Sequence, residues 1–327
     1  MAPVTRGEGT GRAKLLLFGE HAAVYGHPAV GLSLPEAIRA RVAVSAAEGW
    51  RFPKARPEER ERLTQLLERF RRIIPGLEQA GGGEMELESD IPRGQGFGSS
   101  AALCAAVASA LCAALGRRDP PAGIWAYAHE AERLFHGTPS GIDTGLALLD
   151  GLYLFQPAPP NLPAARRLRG LQLPLVVGAV PRRAETGELV QKLRERMEAG
   201  QGRAARLLGE LGGIARSAGQ ILEGGPDRPG SEGLARLGEL AWQTQERLAE
   251  LELSTPELDA LLEAGRRAGA LGGKLSGAGG GGAFFLLFAE PQAARSAVGL
   301  LRTAFESGMP GAAQTIRARI WRNSATQ

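Results

Sequence analysis

The residues best placed to do chemistry lie in the stretch PRGQGFGSSAA, residues 92–102, which joins a glycine-rich loop to a predicted alanine-rich helix. Glycine has no Cβ, so Gly94, Gly96 and Gly98 allow positive φ and a close approach of the backbone to a ligand. The first N–H groups of the helix have no helical acceptor, and together with the helix dipole they suit a phosphate group. A loop packed before a buried helix is the alternative reading.

Two familiar phosphate-binding motifs do not fit this stretch. A Walker loop needs a lysine immediately before its serine or threonine, and here that position is Gly98. The dinucleotide fingerprint spaces its glycines G-x-G-x-x-G, whereas these run G-x-G-x-G. Phosphate binding by this loop would therefore be of neither kind.

A second polar segment follows the apolar run LLLF at residues 15–18. It contains Glu20, His21 and His27 in a short loop. Zinc needs three or four ligands and no further histidine or cysteine lies nearby, so contact with a substrate is favoured over a metal site. Packing of the loop remains the alternative.

Two more segments complete the set of candidates. Residues 136–144, HGTPSGIDT, form a predicted tight turn in which glycine and proline hold Asp143 in a defined place. Residues 272–282, GGKLSGAGGGG, run straight into an apolar strand. A flexible linker does not normally lead directly into a core strand, so this segment indicates close backbone approach to another group.

Hydrophobic periodicity predicts the elements that position these segments. Proline-rich residues 157–163 are predicted as a surface connection, and a domain boundary is predicted near residues 180 and 181. Strands are predicted at residues 14–18, 38–44, 85–91, 151–155, 175–180, 283–288 and 316–320. Helices are predicted at residues 57–74, 101–115, 122–135, 186–199, 204–222, 233–251, 254–270 and 291–307.

Composition limits the classes of protein to which the chain can belong. Its 327 residues suit two domains, and 43% hydrophobic with 23% charged residues is ordinary for a soluble globular protein. No apolar run reaches membrane-spanning length and residues 1–12 do not resemble a signal peptide, so we expect a cytoplasmic protein without a membrane partner. The net charge of +4 is spread along helices, so nucleic-acid binding is not implied. Cys104 and Cys112 are predicted to be small core residues.

Four blocks, residues 14–30, 92–102, 132–144 and 274–282, resemble in order and spacing the small-molecule kinases of the GHMP superfamily, named for galactokinase, homoserine kinase, mevalonate kinase and phosphomevalonate kinase. The resemblance implies an α+β, two-domain fold. Residues 1–180 would form an N-terminal ribosomal-protein-S5-domain-2-like α/β domain that holds the substrate and phosphate-loop motifs. Residues 181–327 would form a C-terminal ferredoxin-like α+β domain with the third, glycine-rich motif.

The first and third blocks are similar to those of the mevalonate kinases within this superfamily. Residues 22–26, AAVYG, follow Gly-Glu-His, and residues 132–143 read ERLFHGTPSGID. The resemblance implies phosphorylation of the primary hydroxyl of mevalonate with ATP and Mg²⁺ in isoprenoid synthesis. A phosphomevalonate or sugar kinase is the nearest alternative, and a non-catalytic ligand sensor is a more distant one. The oligomeric state stays open, with a homodimer as one arrangement.

The resemblance also implies a role for individual residues. Asp143 would accept a hydrogen bond or proton from the attacking hydroxyl, and Lys14 would hold Asp143 ionised and stabilise charge on the transferred phosphoryl. Lys274 would be structural. The substrate-binding residues would be Glu20, His21 and Thr186, of which Thr186 follows a spacing that departs from that of many relatives. The Mg²⁺ ligands would be Ser100 and Glu132. The ATP-binding residues would be Pro92, Gly94, Gln95, Gly96, Phe97, Gly98, Ser99, Ser100, Ala101, Gly277, Ala278, Gly279 and Gly280.

Overall fold

The computed structural model describes residues 4–46, 48–168, 172–183, 189, 191, 193, 195–196, 202–224, 230–306, 308 and 310–322. The chain divides into two compact units, each built from several stretches of sequence. The first unit is Met1–Lys14, Ser33–Pro92 and Gly98–Asp150; the second is Leu15–Leu32, Arg93–Phe97 and Gly151–Gln327. Within the described residues, no helix combines the length and apolar character needed to cross a membrane.

Long antiparallel strands and a set of helices form the first unit. Strand β2 (Ala29–Ser45) pairs antiparallel with β4 (Gly82–Ser89), with Ile38 opposite Ser89 and Ser45 opposite Gly82. The short strand β3 pairs parallel with β4, and β1 pairs with β2. Further elements of this unit are the part of β1 (Thr5–Phe18) that ends at Lys14, β3 (Gly49–Arg51), α1 (Pro57–Ile73), α2 (Ser99–Ala114), α3 (Pro121–Glu132) and α4 (Ile142–Leu148).

Strand β1 is longer than the predicted strand at residues 14–18 because glycines extend it over helix α2. A Cβ at Gly7 would lie 2.2 Å from the carbonyl oxygen of Ala110, and a Cβ at Gly11 would lie 1.9 Å from that of Ala102. Only glycine allows backbones to approach so closely. The small alanine side chains of α2 leave room for this approach on the helix side. As a result, β1 lies directly against α2 over the residues that precede Lys14.

The second unit contains an antiparallel sheet in the order β10-β7-β9-β8. Central strand β9 is apolar and buried throughout, as is β7 after its first residue, Gln172, and helices cover both strands with leucine and alanine side chains. Its elements are β7 (Gln172–Val180), α5 (Gly202–Glu223), α6 (Ser231–Glu250), α7 (Pro256–Arg267), β8 (Gly272–Leu275), β9 (Gly282–Leu287), α8 (Pro291–Phe305), α9 (Pro310–Thr315) and β10 (Arg317–Arg322). This unit also holds the hairpin of β5 (Leu152–Ala158) and β6 (Asn161–Leu168), in which β5 pairs with residues Ala29–Leu32 of β2.

Two sequence predictions about elements need correction. Part of the predicted surface connection at residues 157–163 is strand β6, because β5 offers a complementary edge on the other side of the proline pair. Gly272–Leu275, where no strand was predicted, is strand β8 and is buried. The predicted helix at residues 186–199 lies mostly outside the described residues. The compact units group residues 151–180 with the second unit, and the domain boundary at residues 180 and 181 stays a prediction.

Candidate active site

Lys14 and Asp143 form an ion pair in the first unit. Lys14 Nζ lies 3.2 Å from Asp143 Oδ2, although the two residues are far apart in sequence. Lys14 comes from the apolar part of β1 and is buried, while Asp143 is the second residue of α4. Gly141, with φ +79°, turns the chain into α4 and so places Asp143 in the first turn. A buried cation thus faces a carboxylate that remains partly exposed.

Glu132 is a buried carboxylate at the end of α3. Its Oε2 has no hydrogen-bond partner, which is uncommon for a buried polar atom. Burial raises the pKa of Glu132 well above its usual range; the negative charge of Asp143 raises it further and the positive charge of Lys14 opposes the shift. Lys14, Glu132 and Asp143 are therefore one electrostatic group.

Helix α2 begins beside this group. Gly98 caps the helix in the left-handed region, φ +75°, and accepts the first helical hydrogen bond from Ala102 N–H at 2.9 Å. A Cβ at Gly98 would lie 2.7 Å from Cγ of Lys14, so glycine is needed for the lysine to pass. Ser100 Oγ lies 3.2 Å from Nε2 of His136. The three N–H groups before Ala102 have no helical acceptor and provide donors for an anion.

The glycine-rich loop before α2 contacts the third glycine segment within the second unit. A Cβ at Gly96 would lie 3.0 Å from the backbone N of Ala283, and one at Gly282 would lie 3.4 Å from the carbonyl oxygen of Gln95. The guanidinium of Arg182 lies against both glycines. Glycine at both positions lets the two backbones approach closely and so holds the loop. The sequence did not single out Arg182.

Glu20 and Lys274 form an ion pair in the second unit, and both side chains are completely buried. Lys274 Nζ also donates to the carbonyl oxygen of Leu275 at 2.5 Å and lies 5.2 Å from the ring centre of Phe285. Glu20 Oε2 is buried and has no hydrogen-bond partner. The pair therefore satisfies only one of the two carboxylate oxygens. Sequence spacing carries no signal for this contact, which joins residues 254 positions apart.

His21 is held by the same glycine segment. Its Nε2 lies 3.1 Å from the carbonyl oxygen of Ala278 and must donate, because a carbonyl oxygen only accepts. Burial lowers the pKa of His21 to about 4, and the hydrogen bond to Ala278 opposes part of that shift. The imidazole is therefore neutral near pH 7. Its backbone φ of +57° is unusual for a non-glycine residue and marks a constrained loop.

The structure thus places the predicted residues in two groups. Lys14, Ser100, Glu132 and Asp143 lie together in the first unit, and Glu20 and His21 lie beside Lys274 and Ala278 in the second. Thr186 lies outside the described residues. Phe97 is buried, and the predicted loop residues with positive φ are Gly94, Gly96, Gly98, Gly277, Gly279 and Gly280. The remaining predicted loop residues lie in the same two segments: Pro92, Gln95, Ser99, Ala101 and Ala278.

Known proteins are similar to the chain over most of its length. The family model for the GHMP kinases N terminal domain matches residues 61–151, and the model for GHMP kinases C terminal matches residues 231–306. A mevalonate kinase of Thermococcus sibiricus is 30% identical over 303 residues, which cover 86% of this chain and 88% of that relative. A mevalonate kinase of Pyrococcus horikoshii is 32% identical over 297 residues, covering 84% of this chain and 86% of that protein.

The fold is similar to a solved structure as well. The crystal structure of L. major mevalonate kinase in complex with R-mevalonate aligns with a TM-score of 0.79 and 24% identity, covering 99% of this chain and 98% of that one. The predicted α+β fold with N- and C-terminal GHMP kinase domains is confirmed. Sequence identity of 30% or more across most of both chains shows a relationship in sequence as well as in fold. The chain belongs to the GHMP kinase family.

Proposed function

We propose that this chain is a mevalonate kinase, which transfers the γ-phosphoryl group of ATP to the primary hydroxyl of mevalonate. GHMP kinases use ATP, and the relatives at 30% and 32% identity that span most of the chain are mevalonate kinases. The structural observation that carries the catalytic part of the proposal is the ion pair between Lys14 and Asp143. It sits beside Gly98, where the loop passes into helix α2.

The loop and the start of α2 would bind the triphosphate. Backbone N–H groups at the start of α2 are free of helical acceptors. Gly94, Gly96 and Gly98 have positive φ and carry no side chains that would block the loop. The glycine-rich segment that contains Gly282 packs against the loop at Gly96 and supports it. The phosphate groups would thus be held by backbone dipoles, with no Walker lysine.

Asp143 would accept the proton of the primary hydroxyl as its oxygen attacks the γ-phosphorus. The new O–P bond forms while the bond from phosphorus to the bridging oxygen breaks, and ADP leaves with the electron pair. Lys14 would orient Asp143 through the 3.2 Å ion pair and place positive charge where the transferred phosphoryl gains negative charge. The contribution of both residues is positioning and electrostatics.

Ser100 and Glu132 fit the role of Mg²⁺ ligands. They offer oxygen donors, and the buried Oε2 of Glu132 has no hydrogen-bond partner. Within the described residues no cluster of three or more His, Cys, Asp or Glu side chains could hold a metal, so phosphate oxygens and waters would complete the coordination. When bound, Mg²⁺ would offset negative charge on the phosphates. A cation here would also stabilise the ionised form of Glu132 beside Asp143.

Glu20 and His21 would recognise the alcohol substrate. Glu20 presents one carboxylate oxygen without a partner, and His21 is fixed as a neutral imidazole by Ala278. A carboxylate oxygen accepts from a hydroxyl, and the neutral ring offers one acceptor nitrogen. Thr186 stays a candidate third contact.

The experiment is a coupled ADP-release assay with mevalonate, phosphomevalonate, galactose and homoserine offered in parallel. We expect turnover with mevalonate at a kcat/KM well above those of the other three. Turnover with one of the others in place of mevalonate would assign the chain to another branch of the family. Absence of turnover with all four, under conditions where the protein is folded, would reject the kinase reading.

A further inference from the structure

Three hydrogen bonds converge on the backbone carbonyl oxygen of Gly141, the residue that precedes the helix of Asp143. The N–H of Gly145 donates at 2.9 Å as the first turn of α4, and Thr144 Oγ donates at 3.0 Å. The third donor is the indole Nε1 of Trp125 at 2.9 Å. Trp125 reaches this carbonyl from helix α3 and the hydrogen bond is buried.

Helix α4 needs such support because it is short. It spans seven residues, Ile142–Leu148, and a helix of this length has little stability of its own. The segment before it is rich in glycine, and Gly141 itself has φ +79°. Ser140 Oγ accepts from Ile142 N–H at 3.3 Å, which is a local contact only. The indole of Trp125 ties the turn to a longer and separately packed helix.

The same hydrogen bond joins the two helices that carry the carboxylates of the candidate site. Helix α3 carries Trp125 near its start and Glu132 at its end, and α4 carries Asp143. Glu132 and Asp143 interact electrostatically, so the position of α4 along α3 decides how the two carboxylates share the charge of Lys14. A shift of one helix past the other would change that arrangement.

We propose that Trp125 is a positioning residue for Asp143, acting through its indole N–H and the carbonyl of Gly141. This inference rests on the proposed kinase function, in which Asp143 contacts the attacking hydroxyl. Trp125 itself would contact neither the nucleotide nor the alcohol. Its loss should therefore affect the chemical step and leave ground-state binding unchanged.

The first test replaces Trp125 with Phe, which keeps an aromatic ring and removes the N–H. We expect kcat to fall about tenfold, since misplacement of a reacting group by a fraction of an ångström has effects of this order. The KM values for ATP and the alcohol should change by less than about twofold. Trp50→Phe is the matched control, because Trp50 packs on Gly83 in strand pairing and should leave kcat unchanged.

A double-mutant cycle with Asp143→Asn separates positioning from general destabilisation. If Trp125 acts through Asp143, Trp125→Phe should have no further effect on the residual turnover of Asp143→Asn. A merely structural role would lower turnover by the same factor in both backgrounds. Equal factors, or a Trp125→Phe variant with wild-type kcat, would overturn the proposal.

Two further variants keep the test decisive. If Trp125→Phe does not fold, site-specific incorporation of benzothienylalanine at residue 125 keeps the bicyclic shape and removes only the N–H donor. Thr144→Val removes a second donor to the same carbonyl and should lower kcat. Thr144→Ser keeps the hydroxyl, and its kcat should stay near the wild-type value. All rates are measured with whichever of the four alcohols the wild type phosphorylates, so a wrong acceptor assignment does not affect this result.

Discussion

Lys14 and Asp143 are paired at 3.2 Å, but only one of them is closed off from solvent: the side chain of Lys14 is 5% exposed and that of Asp143 is 35% exposed. The side chain of Lys14 projects from strand β1 and packs closely against Gly98, so it has little freedom to move. The aspartate keeps an accessible edge for a ligand. This difference supports the proposed roles, in which Lys14 is a fixed cation that orients Asp143 toward the reacting hydroxyl.

Asp143→Asn should therefore lower kcat by about 10²–10⁴-fold, because an amide cannot accept the hydroxyl proton. Affinity for ATP should stay close to that of the wild type, since the loop and α2 are intact; a nucleotide titration measures it beside steady-state turnover. Asp150→Asn is the matched control, because Asp150 is exposed and pairs only with Arg12 among the ion pairs described. Unchanged turnover of Asp143→Asn would refute the role of Asp143.

Gly98→Ala tests the passage of Lys14 beside helix α2. The new Cβ would lie 2.7 Å from Lys14 Cγ, so the lysine must shift away from Asp143 and turnover should fall at least about tenfold. Gly116→Ala is a control with similar backbone strain: the φ of Gly116, +66°, is also left-handed, but a Cβ there would meet no atom within 4 Å. Both variants should lose about 1–2 kcal/mol of stability. Similar turnover for the two would contradict the account.

Glu132→Gln should separate stability from activity. Burial and the charge of Asp143 raise the pKa of Glu132, so ionised Glu132 costs stability that increases as the pH rises above the usual value for a carboxyl. The neutral amide removes this cost, and denaturant unfolding near pH 8 should show a gain on the order of 1 kcal/mol. Turnover should fall and need more Mg²⁺. Glu130→Gln, on the exposed side of α3, should show neither change.

Lys274→Met should be strongly destabilising. Removing one partner of a fully buried ion pair leaves the other charge without compensation, which typically costs about 3–5 kcal/mol. Adding Glu20→Gln should recover part of that loss. Arg203→Met removes an exposed partner of Glu250 and should cost less than about 1 kcal/mol. Urea unfolding of the four proteins gives the comparison, and a small effect of Lys274→Met would show that the pair is dispensable for the fold.

The lowered pKa of His21 predicts that the stability of the fold decreases at acidic pH. Its pKa is about 4 in the folded chain, against 6.5 ordinarily, so between these values the unfolded chain binds a proton that the folded chain does not. Its contribution to stability is complete above pH 6.5 and decreases as the pH falls toward 4, by at most about 1.4 kcal/mol per pH unit. His21→Gln should show a smaller decrease from pH 7 to pH 5. An identical pH dependence in the two proteins would exclude this contribution.

The sequence predicted local features of this chain better than its long-range ones. Helix α1 was predicted at residues 57–74 and spans Pro57–Ile73, because proline, acids and a leucine stripe all act locally. The start of β1 was missed, since Gly7 and Gly11 resemble loop residues until helix α2 is packed on them. The Glu20–Lys274 ion pair was missed for a similar reason: nothing in either segment specifies its partner.

The candidate site shows the same division. Asp143, Lys14, Ser100 and Glu132 were predicted from motifs, and the structure brings them together in one unit. Trp125 carried no sequence signal, because an indole near the start of a helix is equally suited to ordinary core packing. Its hydrogen bond to Gly141 depends on how α3 and α4 pack.

The atom that receives the phosphoryl group can be identified by ³¹P NMR of the reaction of ATP with mevalonate and the purified protein. We expect ADP and a single phosphomonoester whose phosphorus is coupled to the two protons of the primary carbon of mevalonate. Asp143→Asn should give almost none of this product in the same time. A phosphorus signal without that coupling, or release of inorganic phosphate alone, would contradict the account.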